Sequence, residues 1–158
     1  GLKIMMVFLT NWDVADRQNK ILEVKGKNGT EHHYIISDLG ATFGRFGNNN
    51  LPLFYRLGRE ISKPQDYIKA KLVRDIDEQE VVLAYKGKNR YIFEDVSVSG
   101  AVWLHNLLRQ LSDKQIRDAF RAANYTPEQI DTFTQAVKNR IAELSRVSTD
   151  NKLAERNE

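Results

Sequence analysis

The sequence predicts a mixed α+β domain: a buried N-terminal helix, a β-hairpin, an irregular middle and a helical C-terminal third. Three observations carry this prediction. The opening run Leu2-Lys3-Ile4-Met5-Met6-Val7-Phe8-Leu9 is apolar on nearly every side, as a helix covered all round must be. An Asn28-Gly29 pair lies between two β-rich runs, the strongest short hairpin signal. From Trp103 to Leu144 apolar residues recur at helical spacing.

The chain of 158 residues suits one domain, or part of a larger protein. At that length a core forms without metal or disulfide support. Residues 1–147 read as the folded domain, and the polar stretch 148–158 as a flexible tail. Hydrophobic residues at 41% and charged residues at 28% exclude general disorder. The absence of cysteine excludes disulfides, thiolate zinc sites and thiol nucleophiles. No stretch reaches the ~18 apolar residues of a membrane span. The net charge of +3 comes from 24 basic and 21 acidic residues with no continuous basic stripe, which disfavours nucleic acid as a partner.

The elements follow in order. The first helix opens with no capping residue before it, so its cover is expected from a segment upstream of residue 1. A loop, Thr10 to Gln18, leads to strands at Ile21–Val24 and His33–Ile36. With Asn28 and Gly29 at the tip, Lys27 pairs with Thr30 and Ile21 with Ile36, and Asn19 faces Asp38. Leu39 to Asn50, rich in glycine and asparagine, reads as a loop. Residues 51–70 are ambiguous. Val73–Ile76 and Val81–Tyr85 read as short strands, and Tyr91–Phe93 as a third. A helix with its face on Trp103, Leu104, Leu107, Leu108 and Leu111 comes next. Ser112-Asp113-Lys114-Gln115 is a capping box opening a second, faced by Ile116, Ala119, Phe120 and Ala123. Thr126-Pro127-Glu128-Gln129 opens a third, lined by Ile130, Phe133, Val137, Ile141 and Leu144. Lys138, Arg140 and Arg146 suit the dipole near its end.

Two short patterns are candidates for chemistry: Asn11-Trp12-Asp13 with Gln18-Asn19, and Ser37-Asp38-Leu39-Gly40. Each alone has the composition of a turn. Their order matches the needs of phosphoryl transfer, in which one carboxylate orients the attacking hydroxyl, an Asn holds metal, and an Asp-x-Gly binds Mg²⁺. Asp and Asn supply the hard oxygen ligands that magnesium takes.

These residues, with the run Ile36-Ser37-Asp38-Leu39-Gly40-Ala41-Thr42-Phe43-Gly44, resemble the catalytic core of atypical kinase-like proteins. They are similar to spore-coat kinases of the CotH type. They look closer still to a group of uncharacterised bacterial proteins with a Trp-Asp loop and an Asp-Leu-Gly-Ala-Thr-Phe-Gly segment. Trp103-Leu104 and Leu111 to Phe120 extend that second likeness over most of the chain. The kinase likeness itself rests on residues 2–44. It implies a protein-kinase-like C-terminal lobe, with Asp13 as catalytic aspartate, Asp38 as the metal-binding one, and Asn19 or Gln18 as second ligand. It implies Mg²⁺ and ATP as cofactors. It also implies a partner, since the phosphate loop, strand lysine and helix glutamate belong to a lobe upstream of residue 1. The departures imply a pseudokinase as readily as an enzyme. Gln18 stands where a kinase has the metal-binding Asn, Asn19 comes one residue late, Ala15 replaces the usual Lys, and Asn11-Trp12 replaces His-Arg.

The rival expectation is a non-catalytic binding or scaffold domain of the same fold, with Asp13 and Asp38 accepting loop hydrogen bonds. Remaining candidates are weaker. His32 and His33 point to opposite strand faces, and His105 reads as a core-edge histidine. Asp75 and Asp77 read as solvated carboxylates. Gly40 to Gly47 does not have the Walker or Rossmann spacing and reads as a mobile segment following Asp38.

Overall fold

The computed structural model describes residues 1–14, 19–27, 29–47, 58–77, 79–87 and 89–154, with Asn19 and 148–154 described through their backbone alone. Its elements are α1 (Leu2–Phe8), β1 (Asn19–Gly26), β2 (Gly29–Ile36), β3 (Arg45–Phe46), β4 (Arg59–Glu60), α2 (Pro64–Lys69), β5 (Val73–Asp77), β6 (Glu80–Leu83), a 3₁₀ turn (Arg90–Phe93), α3 (Val98–Leu108), α4 (Asp113–Ala122) and α5 (Pro127–Ala154). The fold is mixed α+β, as the sequence predicts. Among the described residues, β1–β2, β3–β4 and β5–β6 form three separate two-stranded antiparallel sheets. No helix among the described residues is long and apolar enough to cross a membrane.

The core gathers on α5. Phe133 is fully buried, stacked on Phe120 at 4.8 Å and met edge-on by Phe43 at 5.7 Å and Tyr125 at 4.9 Å. Aromatic pairs in such offset and edge-to-face geometry add about 0.5–1.5 kcal/mol each beyond their burial. Helix α1 buries Ile4, Met6, Val7 and Phe8, while Leu2 stays exposed. Its cover comes from this chain: α3 and the 3₁₀ turn pack on it, and Tyr67 on α2 donates its hydroxyl to the Phe8 carbonyl at 2.8 Å.

Arg140 completes that seat. It is 2% exposed. Its guanidinium donates to the carbonyls of Val7 (3.0 Å), Phe8 (2.7 Å), Tyr67 (3.2 Å) and Ala70 (2.9 Å). A cation at carbonyls exposed by helix ends satisfies groups that otherwise have no partner. Arg140 therefore serves α1 and α2, not the end of its own helix as the sequence suggests. Lys138 pairs instead with Asp113 at 2.8 Å.

Both caps match expectation. Ser112 and Gln115 form the capping box of α4, and Thr126 and Gln129 bond reciprocally at the start of α5. The helix faces differ in part. On α3 the buried residues are Val98, Ala101, Leu104 and Leu108, whereas Trp103, Leu107 and Leu111 are exposed. Ala119 and Ala123 are exposed as well. Helix α5 continues through Ala154, past the point where a flexible tail was expected.

Three strand expectations need correction. The hairpin closes on Gly26 paired with Gly29, so Asn19 pairs with Ile36 and Ile21 with Tyr34. Gly29 adopts φ +127°, a conformation open only to glycine, and this places it at the ladder's end, not at the turn's centre. Shifting by two residues keeps each side chain on its face but changes every cross-strand partner. Tyr91–Phe93 is a 3₁₀ turn, entered through Asn89 at φ 57°, not a third strand. Strand β3 lies inside the expected glycine-rich loop and pairs with β4, from the ambiguous stretch.

Candidate functional site

The two candidate motifs meet at the C-terminal end of α1. The helix ends at Phe8, and Thr10 turns the chain with φ 53°. Phe43, in the second motif, has φ 57°. Left-handed backbone at a residue with a Cβ costs about 1–2 kcal/mol, so these two neighbours need support from their surroundings. The Phe43 N–H donates to the Leu9 carbonyl at 2.8 Å, and the Gly44 N–H donates to Thr10 Oγ1 at 3.0 Å. The Phe43 ring enters the core between Tyr67 and Phe120, at 5.2 and 5.3 Å. A Cβ on Gly44 would lie 2.0 Å from the Glu60 carbonyl oxygen, so only glycine permits β4 to approach here.

Asn11 joins the motifs directly. Its buried side chain accepts from the Asp13 N–H at 2.9 Å and donates to the Asp38 carbonyl at 3.3 Å. The Trp12 N–H donates to the Ala41 carbonyl at 3.3 Å, and its indole N–H to the Glu60 carbonyl at 3.3 Å. Arg59 covers the Trp12 ring at 4.5 Å. Below this layer lies Tyr85, buried against Phe46 and Phe93. Burial pushes the Tyr85 hydroxyl well above its usual range; the nearby Arg59 opposes that shift and the Asp13 carboxylate adds to it. Asp13 and Arg59 thus share one electrostatic neighbourhood around a neutral tyrosine.

Asp13 is half-buried and Asp38 is exposed. Asp38 Oδ1 accepts from the Gly40 N–H at 3.1 Å, an Asx turn within its own motif. Asn19 is the first residue of β1 and pairs with Ile36, two residues before Asp38. The ladder therefore does not set Asn19 opposite Asp38 as the expected register does. Gln18 and the Asn19 side chain lie outside the described residues. Among the described residues, no three His, Cys, Asp or Glu side chains cluster as a metal site.

The segment after Asp38 is anchored, contrary to its expected mobility. Ala41, Thr42, Gly44 and Phe46 are buried, and the Ser62 and Lys63 N–H groups donate to the Thr42 and Phe43 carbonyls. Sequence reasoning missed Asn11, Arg59 and Tyr85. Asn11 stood in the motif but was read as a replaced His-Arg position, and Arg59 lies in the stretch with no periodic signal.

The minor candidates sit as read. His32 and His33 take opposite faces of β2, near Glu23 (3.5 Å) and Glu31 (3.1 Å) respectively. His105 donates from Nδ1 to the Ile141 carbonyl at 3.2 Å, tying α3 to α5. Comparison with family models, with curated proteins and with solved structures finds no match.

Proposed function

We propose that this chain is the C-terminal lobe of an atypical kinase-like phosphotransferase, or of a pseudokinase, of the bacterial type its motifs resemble. In this reading it binds Mg²⁺ and ATP together with an N-terminal lobe or upstream segment of the same protein and transfers no phosphate alone. The observation supporting it is the double hydrogen bond of Asn11, which couples the backbone of Asp13 to that of Asp38. Two motifs 25 residues apart in the sequence are held as one unit. Asp38 would hold Mg²⁺ with Asn19 or Gln18, and Asp13 would orient the acceptor hydroxyl. The donor set is hard oxygen, which fits magnesium, an ion that keeps water and substrate phosphates among its ligands. When bound, the metal would supply charge neutralisation at the phosphoryl group.

The test is thermal stabilisation of the intact protein by ATP with and without Mg²⁺. A stabilisation that needs Mg²⁺ and disappears in Asp38→Ala and Asp38→Asn is expected. No stabilisation of the folded intact protein would sink the proposal. One observation favours the second reading, a non-catalytic binding or scaffold domain: Asp38 Oδ1 already caps its own turn at Gly40. On that reading Asp38→Asn, which keeps the acceptor and loses the charge, leaves the protein unchanged.

A further inference from the structure

A second site lies away from these motifs, in an open groove of about 880 Å³ between β5 and α5, within the ~300–1,000 Å³ range of ligand sites. Four exposed cations line it: Lys69 at the end of α2, Lys71 in the link that follows, Arg74 on β5 and Arg146 on α5. None of the four makes an ion pair or hydrogen bond among the described residues. The neighbouring surface differs. There Lys114 and Arg121 pair with Asp118, Arg117 with Asp131, and Lys138 with Asp113. On α5 itself, then, Lys138 has a carboxylate partner and Arg146 has none.

Lysines beside a helix C-terminus ordinarily serve its carbonyls. Here that place is taken, because the buried Arg140 donates to the carbonyls of Tyr67 (3.2 Å) and Ala70 (2.9 Å). Lys69 and Lys71 are left to the groove. The carboxylates in the groove are engaged as well. Glu143 accepts from the N–H groups of Leu72 (3.1 Å) and Val73 (2.9 Å), and its charge supports that of Arg140. Asp75 accepts from the Ile76 N–H at 2.9 Å. With Arg140 and Glu143 offsetting one another, four cations stand against the single carboxylate of Asp75. The β5 amides are spent on these carboxylates, so a ligand here is held by side chains.

We infer that this groove binds a small molecule carrying two or more phosphate groups, through Lys69, Lys71, Arg74 and Arg146. A single monoanion cannot neutralise the excess of three charges, whereas linked phosphates place several negative charges within one small ligand. Lysine meets phosphate as a point charge and arginine as a planar fork of donors. This inference does not rest on the nucleotide reading, whose residues Asp13 and Asp38 lie outside the groove.

The experiment is isothermal titration calorimetry of the chain, its fold confirmed by circular dichroism, with inorganic tripolyphosphate in EDTA. The comparison probes are Mg²⁺-free ATP, citrate and a short DNA duplex. Tripolyphosphate should bind, weaken as salt rises, and lose affinity about tenfold or more in Lys69→Gln with Arg74→Gln. Lys71→Gln with Arg146→Gln serves as a second pair if the first misfolds. Lys114→Gln with Arg121→Gln, outside the groove, should leave the affinity within about twofold, and Asp38→Ala should leave it unchanged. Tighter binding of ATP than of tripolyphosphate would identify the ligand as a nucleoside polyphosphate, and the reverse order as a polyphosphate without a base. Absence of tripolyphosphate binding, equal binding of citrate, or an affinity indifferent to the groove variants would overturn the inference. Loss of binding in Asp38→Ala would overturn it too, by moving the anion to the motif site. Tighter binding of the duplex, lost in the groove variants, would replace the small ligand with nucleic acid.

Discussion

The β1–β2 hairpin and the aromatic centre on α5 are built from similar apolar residues and handle them in opposite ways. In the hairpin, Ile21 and Tyr34 pair on one face and are 61% and 71% exposed; Leu22, Val24 and Ile35 lie exposed on the other. Of the hairpin's apolar residues only Ile36, at its base, packs against the core. Around α5, Phe43, Phe120, Tyr125 and Phe133 enclose one another. The contrast teaches that local pairing and burial are separate achievements. A ladder satisfies backbone groups wherever it forms, whereas apolar side chains stabilise only where a second layer covers them. A lone two-stranded hairpin is marginal in water.

The strongest way to break this comparison is to truncate the centre. Phe133→Ala should cost about 3–5 kcal/mol, read from urea unfolding; a loss no larger than that of a hairpin variant would show that the core lies elsewhere. Next is the cation that seats α1. Arg140→Met keeps volume but strands carbonyls of Val7, Phe8, Tyr67 and Ala70, and should cost about 2–3 kcal/mol. An unchanged midpoint would mean that water satisfies those groups equally well.

A pH scan sharpens the same point. Burial pushes the Tyr67 hydroxyl up to about 12, the Arg140 guanidinium opposing. The native state therefore keeps this proton after the unfolded chain, near pH ~10, releases it. The contribution is complete below about pH 10 and is lost as pH rises from there through about 12. Tyr67→Phe should flatten that alkaline limb in thermal melts taken across the range; an identical limb would place the sensitive group elsewhere. The smallest effect belongs to the hairpin. Tyr34→Ser should change stability by no more than about 0.5 kcal/mol, and the hairpin amides should exchange through local opening while those of α5 wait for global unfolding. Exchange of both at one rate would erase the distinction.

Much of this architecture is legible in residue patterns because its causes are local. The caps at Ser112 and Thr126 and the helical period of Ile130, Phe133, Val137 and Leu144 act within a few residues, so the sequence carries them whole. The hairpin was legible in existence and in faces, but its register depended on which glycine accepted the turn's strain. Trp103 misled because a helical face of large residues does not say which part of it another helix will cover; at 57% exposure it lies outside the buried stripe of α3.

The candidate site divides similarly. Asp13 and Asp38 were visible as motif residues. Asn11 was visible too, but its role was not, since one of its partners, the Asp38 carbonyl, lies 27 residues along the chain. By itself the sequence determined the mixed α+β class, the existence of the first hairpin, the starts of α4 and α5, the absence of thiol chemistry and the positions of the two acidic motifs. Only the tertiary structure decided that Arg140 is a buried clasp, that the segment after Asp38 is anchored, and that the lysines and arginines flanking β5 and α5 share one groove. The physical reason is range: capping and periodicity act between neighbours in the chain, while burial, charge pooling and the seating of carbonyls act between neighbours in space.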